Sequence, residues 1–335
     1  MPNNFKRKIR GLLTAALLPL AVFAITEVLS LIIFGKHLFV SAVDVNNFLR
    51  SVGITLLSSY ALAINMTAGR MDLSLGGQQL IGCLVGGNLA ISLGFGVFGT
   101  LVLCIVFAAL AGLLSGVVFV TLRLPTFVTG IGMALIFEAL SNAYAPEGLM
   151  VFGNERLSLL SNTMFIFAVA IAVAAAVHFL LTHSTFGMHY NAIKGGLRVS
   201  MNSGIPINAN VLASFALCGA LIGLSGILQT GYSSYMAPGL NMSSISSVFA
   251  GFTPVFLALF MQSFCPLTIG ILLASVAFKL LGIFLLKFTM PSQAATAITM
   301  MILLALLVLM ALMRREELNK KYKEKYGSLG SSPSA

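Results

Sequence analysis

The sequence contains no tryptophan and very few charged residues: only 8% of its 335 residues are Asp, Glu, Lys or Arg. So little polar surface cannot cover a soluble globule of this length. Hydrophobic residues make up 58% of the chain, and the mean hydropathy is +1.01. The composition therefore excludes an ordinary soluble protein and predicts one that is embedded in lipid.

Signatures of catalysis and metal binding are also missing. The chain has no GxxxxGK[ST] phosphate-binding loop, so by that route it is not an ATPase. Its histidines show neither metal-ligand spacing nor a Ser/His/Asp arrangement, and its cysteines form no CxxC pair. We therefore predict a chain that is not an enzyme, that has no metal site, and that uses its cysteines as structural filler: Cys83, Cys104, Cys218 and Cys265.

Long apolar runs dominate what is present. A helix needs roughly 20 apolar residues to cross a bilayer. A window of that length predicts an all-α polytopic membrane protein with about ten transmembrane helices. The predicted spans are 12–34, 48–66, 73–93, 97–122, 126–144, 164–182, 211–231, 245–261, 267–286 and 294–313. The second span is short, and Pro254 could break the eighth into a half-helix.

Basic residues cluster at alternate ends of these spans. With the N-terminus inside, fourteen Lys and Arg residues lie on the cytoplasmic side and four outside, as the positive-inside rule expects. The chain then divides into a basic cytoplasmic N-terminus (1–11), a transmembrane domain (12–313) and a cytoplasmic tail (314–335). The N-terminal run could instead be a signal peptide, but its apolar stretch of about 23 residues exceeds the usual length. Five spans on each side of the loop at 145–163 could form an inverted repeat.

One polar stretch lies between the second and third predicted spans and reads T-A-G-R-M-D-L-S-L-G-G over residues 67–77. Asp72 and Ser74 could cap the third helix by accepting hydrogen bonds from the N–H groups of its first turn. A charge near lipid persists where it has a partner or water. The stretch could therefore equally be a broken segment beside a transport pathway.

Other polar side chains fall inside the spans and are candidates for a solute pathway: Asn65, Gln78, Gln79, Asn88, Glu138, Asn142, Gln229, Lys279 and Gln293. Those that we predict to line a solute pathway are Asn65, Asp72, Ser74, Gln78, Glu138 and Asn142. Each could instead bond a neighbouring helix. Glu138 is expected to avoid lipid, as is Lys279 in the ninth span, and the two could pair. Small residues at four-residue spacing predict close helix packing within the chain, at Gly82/Gly86, Gly112/Gly116 and Gly219/Gly223.

Several stretches, taken in order, resemble the permease subunits of ribose-type ABC importers. Residues 67–77 are similar to that family's GxDLSxG signature, although Arg70 stands where many members have an apolar residue or glycine. Residues 184–205, which include S-T-F-G-M and S-G-I, are similar to the family's long cytoplasmic loop. The run A-L-C-G-A-L-I-G-L-S-G at 216–226 resembles the helix that follows that loop. The resemblance covers roughly residues 48–313.

In the resembled family, the cytoplasmic loop holds a short coupling helix that docks into a groove of the ATP-hydrolysing subunit. Within the loop at 183–208, the resemblance places that helix on Gly196, Leu197, Arg198, Val199, Ser200, Met201, Asn202 and Ser203. A helix seated in a partner could convert closure of the nucleotide-binding subunits into movement of the spans. The alternative is an ordinary solvated connection.

The resemblance implies a non-catalytic permease subunit of an ATP-driven importer in the bacterial inner membrane. ATP and magnesium would bind to partner ATPase subunits, and this chain would need no cofactor and no nucleic acid. A second permease subunit, identical or paralogous, would complete the pathway. A substrate-binding protein would dock outside, on the loops at 35–47, 145–162 and 232–244. The solute would be a small polar molecule such as a monosaccharide. A nucleoside or a sugar-derived signal is the alternative solute, and an ion-coupled transporter or a membrane scaffold the alternative class.

Overall fold

The computed structural model describes residues 2–262 and 265–288, together with residues 298, 301, 305, 308 and 312. The helices are α1 (Pro2–Phe34), α2 (Ala42–Thr67), α3 (Leu75–Ser92), α4 (Val97–Leu122), α5 (Thr126–Tyr144), α6 (Thr163–His183), α7 (Thr185–Gly195), α8 (Leu197–Asn202), α9 (Ile207–Ser233), α10 (Ser243–Met261) and α11 (Leu267–Leu286). Two short strands, β1 (Leu149–Met150) and β2 (Tyr235–Met236), and a 3-10 helix (Glu155–Ser161) complete the described elements.

The chain divides into two compact units, Met1–Leu281 and Gly282–Ala335. The first unit holds α1 to α10 and most of α11. In the second unit, the one continuous stretch of described residues is 282–288, which includes the last turn of α11. The predicted boundaries at 11/12 and 313/314 stay predictions.

Eight helices in the described part of the chain are long and apolar enough to cross a membrane. They agree with eight of the predicted spans, several of them to the residue. The predicted third span forms α3, which is not among the eight because glycines and glutamines lower its hydropathy. Many α3 residues are buried against other helices, so that this helix needs less lipid-compatible surface. The predicted tenth span, 294–313, lies outside the described residues except for isolated positions.

Two doubts about broken helices are resolved by the structure. The helix α2 is a full 26 residues and begins six residues before the predicted start. It starts there because Ser41 and Asp44 form a capping box, in which each side chain accepts a hydrogen bond from the other's backbone N–H. The helix α10 passes Pro254 without interruption, so the eighth span is not a half-helix.

The core of the first unit surrounds α2 and α9. In the most apolar stretch of each helix, 67% of the residues are buried in α2 and 72% in α9, whereas only 17% are buried in α1. Ala108 of α4 lies against Gly82 of α3 and Gly219 of α9, and a Cβ atom on either glycine would overlap it. The prediction that small residues pack helices together is confirmed at these positions. All four cysteines are free and buried, as filler residues are.

The bundle has two distinct ends. At the first, β1 and β2 pair antiparallel with Leu149 opposite Met236, so the predicted outer loops at 145–162 and 232–244 meet there. We call it the ribbon end. The second, the coupling end, carries residues 68–74, the α4–α5 connection and α7–α8. The helix α9, with 27 residues and a length of about 40 Å, connects the two ends. Loops predicted on one side of the membrane thus share one end, whereas the inverted repeat and the orientation stay predictions.

Candidate functional site

The polar stretch begins where α2 ends. Gly69 has a left-handed backbone (φ 76°), and its N–H donates to the Met66 carbonyl oxygen. The N–H of Arg70 donates to the carbonyl oxygen of Asn65 at 2.9 Å. These two bonds form a Schellman motif, which requires the left-handed conformation that glycine adopts without strain. The glycine of the T-A-G-R sequence therefore stops α2 and turns residues 70–74 back into the protein.

Asp72 organises the start of α3. One carboxylate oxygen accepts hydrogen bonds from the Ser74 N–H (2.9 Å) and hydroxyl (2.6 Å), and the other accepts one from Gln78 Nε2 (3.1 Å). Ser115 of α4 adds a hydroxyl 3.2 Å from that of Ser74. Burial raises the pKa of Asp72, although the bonds from Ser74 and Gln78 act in the opposite direction. Asp72 thus supports the first turn of α3, while the Ser74 side chain makes no capping bond.

Two further polar side chains at the coupling end are buried without full hydrogen bonding. Arg70 is 6% exposed, and its Nε and Nη2 atoms have no hydrogen-bond partner among the described residues. The same holds for both amide atoms of Asn65. Burial lowers the pKa of Arg70. Asn65, Asp72, Ser74 and Gln78, four of the predicted pathway residues, therefore occupy one region.

The other two predicted pathway residues lie on α5. The Glu138 carboxylate accepts hydrogen bonds from the backbone N–H groups of Met242 (2.9 Å) and Ser244 (2.7 Å) at the start of α10. An acidic group there stabilises the positive end of the helix dipole. Glu138 makes no ion pair with Lys279, so the two residues that could have paired do not. Asn142 lies one turn further along α5 and is partly exposed.

The predicted coupling helix exists as α8, with Gly196 and Ser203 as its flanking caps. Leu197, Val199 and Met201 are 54%, 70% and 61% exposed, whereas Ser200 is buried. A six-residue helix that shows three apolar side chains to solvent has the character of a docking surface. The role of α8 in coupling stays a prediction.

The preceding helix α7 fastens this surface to the bundle. The Tyr190 hydroxyl donates to the Ile64 carbonyl oxygen of α2 at 2.7 Å. Asn191 donates to the carbonyl oxygen of Leu181 on α6, and Asn210 of α9 donates to that of Phe186. The loop at 183–208 is thus not an ordinary solvated connection, because two helices occupy most of it.

A polar cavity of about 500 Å³ lies near the ribbon end. It is lined by residues of α2, α3, α9 and α10, by β2, and by Lys279 of α11. Its hydroxyl and amide groups come from Thr55, Ser58, Gln79, Ser225, Gln229, Ser233, Tyr235, Ser243 and Ser244. Lys279 makes no hydrogen bond or ion pair with any described residue, and its ammonium lies 5.7 Å from the Phe278 ring centre. This volume is within the range of roughly 300–1,000 Å³ typical of small-molecule sites.

None of the six predicted pathway residues lines this cavity. Gln79, Gln229 and Lys279 of its wall are among the polar side chains that the sequence marks within spans, whereas its serines and threonines are not, because a single hydroxyl in an apolar helix forms no pattern of its own. A signal was nevertheless present: Ser225, Gln229 and Ser233 recur at four-residue spacing and so share one face of α9. Thr55 and Ser58 of α2 follow the same rule at three-residue spacing. Among the described residues no cluster of His, Cys, Asp and Glu could hold a metal ion.

Comparison with known proteins gives consistent matches. The model of the family described as "Branched-chain amino acid transport system / permease component" matches residues 45–311. The galactose/methyl galactoside import permease protein MglC of Escherichia coli is 26% identical over 61% of this chain and 67% of its own. The fructose import permease protein FrcC of Rhizobium meliloti is 23% identical over 70% of each chain. The autoinducer 2 import system permease protein LsrC of Yersinia pseudotuberculosis is 22% identical over 71% of this chain and 68% of its own.

A solved structure supports the fold. A metal-chelate type ABC transporter in an inward-facing conformation superposes with a TM-score of 0.53, covering 90% of this chain and 98% of its own at 18% identity. The matches favour the importer over the ion-coupled and scaffold alternatives, and with the apolar helices they establish a multi-pass membrane protein. Because the family model covers most of its 335 residues, the chain belongs to the branched-chain amino acid transport system permease family and is a non-catalytic permease subunit of an ABC importer.

Proposed function

We propose that this permease moves a small polar solute, such as a monosaccharide, and that the cavity at the ribbon end is part of its route. The observation that carries this proposal is the cavity's chemistry. Among the described residues, seven hydroxyl groups and two amides line it, and Lys279 is the one charged side chain. Hydroxyls and amides both donate and accept hydrogen bonds, as the hydroxyls of a sugar do. Import of galactosides and of fructose by the relatives MglC and FrcC supports this solute class.

The partners are proposed from the two ends of the bundle. A substrate-binding protein would dock at the ribbon end, where Phe152 is 78% exposed and Met150 64% exposed on the joined outer loops. ATPase subunits, which would bind ATP and magnesium, would receive α8 at the coupling end. A second permease subunit would complete the pathway. This arrangement requires the coupling end to face the cytoplasm and the protein to lie in the inner membrane, with both termini cytoplasmic.

The solute can be identified on the partner binding protein. Mass spectrometry of the ligand that this protein retains would name the compound, and uptake of that labelled compound would then be measured in proteoliposomes that contain the assembled importer. We expect Gln229→Leu to lower uptake severalfold, since it removes one amide from the cavity wall. Gln262→Leu is the matched control, because Gln262 is exposed at the end of α10. Equal uptake by both variants and the unaltered importer would contradict this route.

A further inference from the structure

A second cavity, of about 1050 Å³, lies at the coupling end and shares no lining residue with the cavity at the ribbon end. The end of α4, the α4–α5 connection, α8 and the start of α9 form its walls. Most of the lining is apolar and includes Phe119, Leu124, Leu197 and Met201. Two arginines interrupt this apolar surface, Arg70 and Arg123.

Arg70 contributes a positive charge to this cavity, and no carboxylate of the described residues pairs with it. Its side chain is more than nine-tenths buried, and two of its guanidinium nitrogens lack acceptors among the described residues. The nearest acidic residue in sequence is Asp72, and its carboxylate accepts hydrogen bonds from Ser74 and Gln78 instead. No ion pair joins Arg70 to Asp72. A buried guanidinium with free donors is unfavourable unless a ligand supplies acceptors.

Arg123 is the second arginine in the lining of this cavity. It ends α4 with a left-handed backbone (φ 53°, ψ 27°), a conformation in which glycine is the usual residue. Its exposed side chain makes no hydrogen bond to the described residues. Arg70 and Arg123 both follow helix C-termini, whose partial negative charge favours a cation. The helix dipoles lower the free-energy cost of placing the two charges there. They supply no hydrogen-bond acceptor to the guanidinium N–H groups, so both arginines can still bind an anion.

We propose that this cavity binds the phosphate group of an anionic phospholipid, with Arg70 and Arg123 as its ligands. Arginine presents paired N–H donors that match phosphate oxygens. The apolar walls suit the acyl chains, and Leu122 and Leu124 beside Arg123 are exposed where lipid can approach. Because Leu197 and Met201 of α8 share the cavity, the bound lipid also supports the surface on which the ATPase subunit is proposed to dock.

The test uses the full-length chain assembled with its ATPase subunits in detergent. Its thermal unfolding would be recorded with phosphatidylglycerol, with phosphatidylcholine, or with inorganic phosphate. We expect phosphatidylglycerol alone to raise the Tm, by about 3–6 °C. Arg70→Met and Arg123→Gly should abolish this rise, and Arg123→Gly suits the left-handed backbone. Arg156→Met, which removes an exposed arginine at the ribbon end, should keep it.

The unfolding temperature without lipid shows whether a variant has lost the lipid site or has misfolded. Without lipid, Arg70→Met should unfold at the same or a higher temperature than the unaltered protein, because it removes an unpaired buried charge. A rise with inorganic phosphate equal to that with phosphatidylglycerol would overturn the lipid as ligand. An unchanged response of Arg70→Met and Arg123→Gly to phosphatidylglycerol would overturn the site.

Discussion

The hydroxyl of Tyr190 lies 2.7 Å from the carbonyl oxygen of Ile64, 126 residues away in sequence. Ile64 is in the last turn of α2, where carbonyl groups have no partner within the helix, so the tyrosine satisfies an otherwise unpaired acceptor. Burial raises the pKa of Tyr190 to about 12, so its hydroxyl keeps its proton at neutral pH. Thr55 and Ser58 of the same α2 line the polar cavity. One helix therefore connects the α7–α8 segment with the proposed solute route.

Replacement of Tyr190 by phenylalanine tests this connection. We expect Tyr190→Phe to lower the free energy of unfolding by about 1–2 kcal/mol, since the Ile64 carbonyl loses its partner. The ATPase rate should then respond less to a loaded binding protein, while the assembly stays intact. Tyr144→Phe is the control, because Tyr144 is exposed and makes no hydrogen bond in the described structure. Full stimulation in Tyr190→Phe would show that this bond does not transmit the signal.

A charge on α8 tests the docking surface. Val199 is 70% exposed, so Val199→Glu should fold normally. It should nevertheless reduce co-purification of the ATPase subunits at least tenfold, because a carboxylate would be desolvated in the interface. Val40→Glu changes a valine that is 64% exposed at the ribbon end and should leave co-purification unchanged. Retention of the ATPase by Val199→Glu would remove α8 from the proposed contact.

The Asp72 network is predicted to matter for stability. In Asp72→Ala, the Ser74 hydroxyl and the Gln78 amide lose a buried acceptor, which should cost about 2–3 kcal/mol. Asp72→Asn keeps one carbonyl oxygen and should cost less. Unfolding in detergent, followed by temperature or denaturant, gives both values. Equal stability of the alanine variant and the unaltered protein would mean that water replaces the carboxylate.

Close packing of α4 and α9 supplies a steric prediction. Gly219→Leu places a branched side chain where Ala108 already lies, so the variant should fail to accumulate as a monodisperse protein. Gly132→Leu is the matched control, since a Cβ at Gly132 meets no atom within 4 Å. Size-exclusion chromatography of the two variants separates these outcomes. Normal elution of Gly219→Leu would require α4 and α9 to move apart.

The sequence predicted those features that depend on one helix at a time. Apolar length located the spans, and the bounds of α4, α5 and α11 agree with the prediction to the residue. The glycine pairs predicted close contacts because small residues at four-residue spacing share a helix face. The short helix at 197–202 followed from the family resemblance rather than from any periodicity.

Features that depend on two or more helices could not be read in this way. The hydrogen bond between Tyr190 and Ile64 joins a side chain to a backbone oxygen. Every residue carries such an oxygen, so the residue types do not predict which one accepts the bond. Glu138 was expected to avoid lipid and could have paired with Lys279, but the backbone N–H groups at the start of α10 satisfy its carboxylate. The polar cavity is assembled from residues of five helices, each of which contributes only a few polar groups. The spacing of Ser225, Gln229 and Ser233 indicates a polar face on α9. The sequence does not indicate which other helices pack against that face.

Uptake by reconstituted vesicles tests the central claim most directly. Proteoliposomes containing this chain and its ATPase subunits would be supplied with the loaded binding protein and with internal ATP, and the labelled solute would be followed inside the vesicles. The account predicts entry that needs both ATP and the binding protein and that stops when the ATPase is left out. Accumulation by vesicles that hold this chain alone, driven by an ion gradient, would contradict it.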